Sequence, residues 1–276
     1  MDGIVLRLPN LGLTCWLNSI LQSLLNCNIF IKEISKESDR APIIIALKCI
    51  ISGKYVTSGL KLLINILKSN LQIGTQQDAL YGLICIVEEL CNVKRDVIVK
   101  EEYSQYLKEW FKTSSDKVTD EKYKYSRYYT LFFSQLSFIS KDKDIRYDPV
   151  FTFNLIYNNS ISESFKDYLN TLRGVDTRNG INIISPIIVF SINNTKDIKD
   201  FKYEESINLK DVMRFDYDVI YNFRSAIIHI GNERGGHYLA IILKSNRWIL
   251  CDDINIREID KAELVNYRPF VLFYEF

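Results

Sequence analysis

The chain has 276 residues, 47% of them hydrophobic and 25% charged, with a formal net charge of +1. That length supports a sizeable core in one domain or two. The balanced charge excludes the basic footprint of a nucleic-acid binder, and no apolar run reaches the ~20 residues of a membrane span, so neither partner is expected. The six cysteines, at positions 15, 27, 49, 85, 91 and 251, form no C-x-x-C pair and are expected to be free thiols of a reducing compartment, with no metal bound. Asn10, Asn18 and Gln22 interrupt the N-terminal apolar residues, so no signal peptide is expected, and the location expected is the cytoplasm, with the nucleus also open. Abundant Ile, Lys, Asn and Tyr fit an AT-rich genome, such as that of a large DNA virus or a parasite.

After Thr14, an expected N-cap, apolar residues fall at Trp16, Leu17, Ile20, Leu21, Leu24 and Leu25, the spacing of one helix face. Leu60 to Leu67 repeats the pattern, and Asp78 opens a helix with Leu80, Leu83, Ile84, Val87 and Leu90 on one stripe. Residues 92–128 carry alternating charges and few aliphatics, which predicts a solvated helix and loop rather than a basic-aromatic surface. Tyr128 to Ile139 and Val150 to Tyr157 flank the charged turn Lys141-Asp142-Lys143-Asp144 and predict a hairpin. Ser162 to Leu172 predicts an amphipathic helix. Strands are expected over Ile181 to Ile192, Ala226 to Ile230, Tyr238 to Leu243, Arg247 to Cys251 and Pro269 to Tyr274. Helices first and strands later make an α+β protein, with a helical and a sheet subdomain meeting at a cleft.

Two distant segments carry chemistry. Cys15, in Asn10-Leu11-Gly12-Leu13-Thr14-Cys15-Trp16-Leu17-Asn18-Ser19-Ile20-Leu21-Gln22, falls in the first turn of a helix. Backbone N–H groups and the helix dipole there favour a thiolate, whose ordinary pKa is about 8.5. Taken alone, Cys15 reads more readily as a small core residue at a helix start; the residues around it reverse that. The chain has only two histidines, His229 and His237, in one segment that includes Gly235-Gly236-His237-Tyr238-Leu239-Ala240. A base of this kind needs a third group to orient its ring. Trp248-Ile249-Leu250-Cys251-Asp252-Asp253, returning from a turn at Ser245-Asn246, offers Asp252 or Asp253. Alternation along a strand puts these two on opposite faces, so only one is expected to reach His237.

These segments resemble the signature boxes of the ubiquitin-specific proteases, a branch of the papain-like cysteine proteases. The first box, approximately N-L-G-N-T-C-Y-M-N-S-x-L-Q, departs at Leu13, where Asn is common. The second, approximately H-x-G-x-x-x-x-G-H-Y-x-A, contains both histidines. Gly74-Thr75-Gln76-Gln77-Asp78-Ala79 resembles a third box, G-x-Q-Q-D-A, and Tyr267-Arg268-Pro269-Phe270-Val271-Leu272-Phe273-Tyr274 resembles the family's last strand. The resemblance implies a papain-like α+β fold in a single catalytic domain over 1–276. Its parts are a helical thumb over about 1–125, a reduced fingers hairpin with a connecting helix over 126–180, and a β-sheet palm over 181–276.

The resemblance also implies roles. Cys15 is the nucleophile, His237 the base and Asp252 its orienter, with Asn10 as oxyanion donor. Gln76, Gln77, Asp78, Gly235, Gly236 and Tyr238 hold the substrate tail, with Asp253 and Trp248 in support. The implied activity is thiol-dependent cleavage after the C-terminal Gly-Gly of ubiquitin or a related modifier, such as the interferon-induced ubiquitin-like protein. No cofactor is expected, and the chain is expected to act as a monomer. A catalytically weak or inactive ubiquitin-binding module is the alternative. Two departures bear on this: Tyr81 stands where the family carries an acidic residue, and the zinc-binding C-x-x-C pairs of extended fingers are missing.

Overall fold

The computed structural model describes residues 3–72, 74–93, 126–139, 145–175, 179–193, 198, 200–210, 217–232 and 235–276. The charged helix and loop expected over 92–128 lies mostly, and the turn at 141–144 wholly, outside the described residues. The chain begins with helices α1 (Cys15–Leu24), α2 (Asn28–Lys36), α3 (Pro42–Ile51), α4 (Val56–Leu67) and α5 (Ala79–Cys91). Then come α6 (Arg127–Phe132), strands β1 (Ser134–Ile139), β2 (Ile145–Val150) and β3 (Thr152–Leu155), and α7 (Ile161–Val175). The rest is strands: β4 (Gly180–Ile183), β5 (Ile187–Ile192), β6 (Ser206–Asn208), β7 (Ile220–Asn232), β8 (Gly235–Lys244), β9 (Arg247–Asp252), β10 (Asn255–Ile259) and β11 (Pro269–Glu275).

α1 is buried around its whole circumference, so its polar side chains must find partners inside the protein. Asn18, Gln22 and Asn26 recur every four residues and form one stripe. Their amides donate to the carbonyls of Leu8 (3.2 Å), Leu6 and Ile4 (3.1 Å). Residues 3–9, which belong to no strand, are held along α1 by this ladder. α5 crosses α1 at Gly82, where a Cβ would lie 2.6 Å from the Trp16 ring. Glycine inside a helix costs about 1 kcal/mol relative to alanine, and here it permits the two helices to touch.

The large sheet has the order β10-β9-β8-β7-β11-β5-β3, with β6 on β7. It is antiparallel except where β3 runs parallel to β5. Alternate residues of the central strands enter two different cores. Val189, Ile227, Val271 and Phe273 face α1 and its neighbouring helices, while Phe190, Ile228, Leu272 and Tyr274 face Phe153, Phe165 and Trp248. Burial on both faces explains why β5 and β11 are apolar nearly throughout, with Ser191 and Glu275 as the exceptions, instead of alternating.

The expected hairpin from Tyr128 to Tyr157 is corrected. Residues 127–132 are helical, β1 pairs with β2 from Ser134↔Val150 to Ile139↔Ile145, and β3 leaves to join β5 in the large sheet. With β4 on the far side of β1, the expected fingers hairpin is a three-stranded sheet, β2-β1-β4. The single strand expected over 181–192 is two strands in two sheets, divided before Pro186, which lacks an N–H to donate.

A buried carboxylate ties the helices to the sheet. Glu275 at the end of β11, 1% exposed, ion-pairs with Arg224 Nε at 2.7 Å and accepts the Ile29 N–H at 2.6 Å in the first turn of α2. The Glu275→Ala protein should be less stable by about 2–3 kcal/mol, because it leaves a largely buried guanidinium and a helix N–H without their acceptor. Urea unfolding monitored by circular dichroism measures this difference.

Candidate active site

The loop before α1 is folded around one side chain. Asn10 Oδ1 accepts the N–H groups of Gly12 and Thr14, each at 3.1 Å. Thr14 Oγ1 accepts the Leu11 N–H at 2.9 Å and donates to Asn10 Oδ1. The expected Thr14 side-chain cap is therefore absent: Thr14 precedes α1, but its hydroxyl is used inside the loop. The start of the helix is left to Cys15. The nearby backbone N–H groups of Tyr238, Trp16 and Cys15 itself favour the thiolate. Burial acts the other way and is stronger, and the nearby Asp253 carboxylate adds to it, so the thiol pKa lies above its ordinary value. Cys15 is only 4% exposed.

On the sheet side, β8 turns into β9 at Ser245 and Asn246, both at positive φ (49° and 60°), as a two-residue hairpin requires. The hairpin brings Asp252 Oδ1 to 2.7 Å from His237 Nε2. The last β8–β9 pair is Ala240↔Cys251, so residues 235–239 extend past the end of β9 and expose the edge of β8. The backbone N–H of Tyr238, on this overhang, lies near enough to the Cys15 sulfur to favour its thiolate.

Asp253 corrects the expectation that it faces away from Asp252. The chain turns at Asp253 (φ 53°), and one ligand atom each from His237, Asp252 and Asp253 lies within 4.8 Å of the others. Asp253 Oδ2 accepts from Asn10 Nδ2 at 2.9 Å and Oδ1 from Asn18 Nδ2 at 2.6 Å, while its carbonyl accepts the Leu8 N–H. Both Asp253 oxygens are thus hydrogen-bonded to side-chain amides, while Asp252 holds His237. Asn10 commits one of its two amide hydrogens to this carboxylate. No hydrogen bond links Cys15 to the His237 ring, so the structure joins base and orienter and places the thiol beside them, one residue along β8.

The third box divides its labour. Asp78 caps α5, accepting the Tyr81 N–H at 2.8 Å. Gln77, expected in the tail site, folds back on Gln72 O and Thr75 Oγ1 and braces its own loop. Gln76 reaches across to β8 and bonds to Gly236. Tyr238 is buried, with its ring tilted 32° to that of His229 at 4.6 Å between centroids. Burial pushes its phenol up to about 12 and also lowers the pKa of His229. Trp248, expected to support the site, lies in the aromatic core with Phe223 (5.3 Å) and Tyr203 (5.6 Å). Asn18 is a site residue that the sequence reading does not single out. Its signal was a polar residue on the buried helix that begins with the cysteine.

A cysteine at a helix start, packed on a sheet edge beside a histidine–carboxylate pair, defines a papain-like α+β fold. The sequence matches the ubiquitin carboxyl-terminal hydrolase family over residues 6–274, and the chain belongs to that family. It is 33% identical over 81 residues to "Probable ubiquitin carboxyl-terminal hydrolase 8" of Schizosaccharomyces pombe, a match spanning 29% of this chain and 18% of that relative. The SAGA Ubp8/Sgf11/Sus1/Sgf73 DUB module superposes with a TM-score of 0.70 at 19% identity, over 100% of this chain and 67% of that one. The same module bound to ubiquitin aldehyde gives 0.69 at 18% identity, over 100% and 69%.

Two measurements check this geometry. Leu13 holds a left-handed backbone (φ 54°) with its side chain 53% exposed, a conformation that costs a branched residue about 1 kcal/mol but suits Asn or Gly. Leu13→Gly is expected to raise the thermal midpoint of unfolding, since little packing is lost. The raised thiol pKa predicts that Cys15 alkylation by iodoacetamide, followed by mass spectrometry, climbs about tenfold per pH unit from pH 6 to 8. A plateau below pH 7 would mean that an imidazolium already holds the thiolate.

Proposed function

We propose that the chain is a thiol-dependent hydrolase that cleaves after the C-terminal Gly-Gly of ubiquitin or a related modifier, with Cys15 as nucleophile. The observation that carries this reading is the His237–Asp252 hydrogen bond, formed on the strand whose next residue, Tyr238, has a backbone N–H near enough to Cys15 to favour its thiolate. The family match supports the reaction class, and solved structures of the Ubp8 module with monoubiquitin and with ubiquitin aldehyde support the substrate. Those modules contain Sgf11, Sus1 and Sgf73 as well. The reading here needs no second chain.

The chemistry follows from the placement. His237, oriented through Nε2 by Asp252, takes the Cys15 proton on its other ring nitrogen, and the sulfur attacks the carbonyl carbon of the last glycine. The oxyanion that forms is met by the helix-start N–H of Cys15 and by the second amide hydrogen of Asn10; one such donor contributes about 3 kcal/mol. The C–N bond breaks, and the lysine amine leaves with the proton from His237. Water, deprotonated by His237, then hydrolyses the thioester and frees the thiol. This sequence requires the thiol and imidazole to close the contact that the free protein lacks. Asp253 keeps the remaining freedom small by fixing the β9–β10 turn to the start of α1 through Asn10 and Asn18.

Tyr81 is half exposed on α5, where the family resemblance expects a carboxylate. Its absence weakens the attraction for a basic tail, which is why a relative of ubiquitin stays within the reading. The absent thiol–imidazole bond favours a second reading, a module that binds a modifier without turnover. A panel of modifiers bearing a C-terminal electrophile separates the two. Wild type should form a covalent adduct and Cys15→Ala none, with Asp252→Ala slowing adduct formation by about 10²-fold or more. Binding without an adduct by wild type, for every modifier, would identify the module instead.

A further inference from the structure

The overhanging edge of β8 carries two outward-facing peptide positions, Gly236 and Tyr238. Residues two apart on a strand present their N–H and C=O groups to the same edge, ~7 Å from one another. At Tyr238 the edge runs past the start of α1, near the Cys15 sulfur. At Gly236 it meets Gln76, whose Oε1 accepts the Gly236 N–H at 2.8 Å and whose Nε2 donates to the Gly236 carbonyl. A primary amide is the one neutral side-chain group that offers a peptide's own pair, one acceptor and one donor. Gln76 therefore completes the strand edge as a single residue of an added strand would.

That position lies on the approach to the nucleophile. An extended tail ending at Cys15 and pairing with the β8 edge would place one of its last residues opposite Gly236. Position 236 is itself built for close approach. A Cβ there would lie 2.4 Å from His229 Nε2 and 2.5 Å from the Ile230 carbonyl, so the neighbouring strand β7 admits only glycine at 236, while a Cβ at Gly235 would lie 3.5 Å from Gln76 Oε1. The loop carrying Gln76 is anchored on both sides without it, by Gln77 on Gln72 and Thr75 and by the Asp78 cap of α5. Only the Gln76 side chain has to swing for the edge to open.

We propose that Gln76 is a displaceable latch, an internal stand-in for the substrate tail that occupies the pairing site on Gly236 in the free protein and yields it to a tail ending in Gly-Gly. The proposal rests on the reading of this edge as the tail's path. Gln76 is then a specificity device and not a catalytic residue. A ligand that cannot replace both hydrogen bonds does not open the edge, and one that can pays for its binding by displacing them. Deleting the latch should tighten binding, the opposite of deleting an ordinary contact.

The test uses the full chain with Cys15→Ala, so that binding is read apart from chemistry. Ubiquitin affinity and the hydrogen exchange rate of the Gly236 amide are measured with Gln76 present and with Gln76→Ala. The latch predicts faster Gly236 exchange in free Gln76→Ala, renewed protection on adding ubiquitin, and about threefold to tenfold tighter ubiquitin binding. Gln76→Asn, one methylene short of Gly236, should behave like Gln76→Ala. Binding that is unchanged or weaker in Gln76→Ala overturns the latch, as does Gly236 exchange indifferent to residue 76. If neither protein binds ubiquitin, the same comparison is made with a hexapeptide ending in Gly-Gly. Tighter binding of that peptide to Gln76→Ala sustains the latch and overturns only the assigned modifier.

Discussion

The site depends on one carboxylate that does no chemistry in the reading above. Asp253 sits at the turn between β9 and β10, and its two oxygens accept from Asn10, in the loop before α1, and from Asn18, within α1. Charge-assisted hydrogen bonds of this kind are about twice as strong as neutral ones, and two on one rigid turn leave little play. The neighbouring residue in that turn is Asp252, which holds His237. Asp253 thus fixes the distance between the element that carries the sulfur and the element that carries the base. These elements lie more than 200 residues apart in sequence, so no local preference can set it.

The same carboxylate opposes the thiolate. Asp253 and burial both hold the Cys15 proton on, against three backbone N–H groups that favour its loss. The site as it stands is therefore firm in geometry and quiet in reactivity. Protonation of His237 on closing the contact would add the positive charge that the sulfur lacks, and arrival of a tail would take water from the overhang. His237 and Asp252 are 39% and 41% exposed in the free protein, so withdrawal of water lowers the local dielectric and strengthens their charge interactions. Strain is stored close by, at Leu13, whose left-handed backbone serves the loop that Asn10 organises.

Much of this was legible in the residues, and the illegible parts share a cause. Helices α4, α5 and α7 follow their 3.6-residue stripes because each buries one face, and α1 follows its stripe although all of its faces are buried. The Ser245-Asn246 turn and the strands around it follow from turn chemistry and β-branched runs. What failed was partner choice. Tyr128-Tyr129 and Phe132-Phe133 suit a helix as well as a strand, and only the rest of the core decides that α6 is helical. β3 has the composition of a hairpin arm, yet Val189 and Phe190, far along the chain, claim it in parallel. β10, with the sequence Asn-Ile-Arg-Glu-Ile, is an edge strand of mixed polarity that reads as a loop. In the candidate site, Gln76 and Gln77 are chemically identical neighbours. Only the fold shows that one braces a loop and the other crosses to β8. Asp252 and Asp253 were separated by a strand rule that stops applying where the strand ends.

The placement of the site follows from unequal strand lengths. β8 has ten residues and β9 six, and their register begins at the turn, so the mismatch collects at the far end, where β9 finishes at Asp252 and β8 continues to Gly235. An unpaired strand edge is a liability, since it invites pairing with any extended chain. In this protein its outward positions are met by Gln76, by the start of α1 and by the turn that carries Asp252. Each contact is also a piece of the proposed chemistry. The pairing that protects the edge in the free protein and the pairing that would hold a tail use the same backbone groups. An edge left wholly bare would be hazardous, and one covered by a continuous tenth strand residue of β9 would be closed to substrate. A single glutamine on a braced loop lies between these extremes, protecting the edge with two hydrogen bonds that an extended peptide can replace one for one.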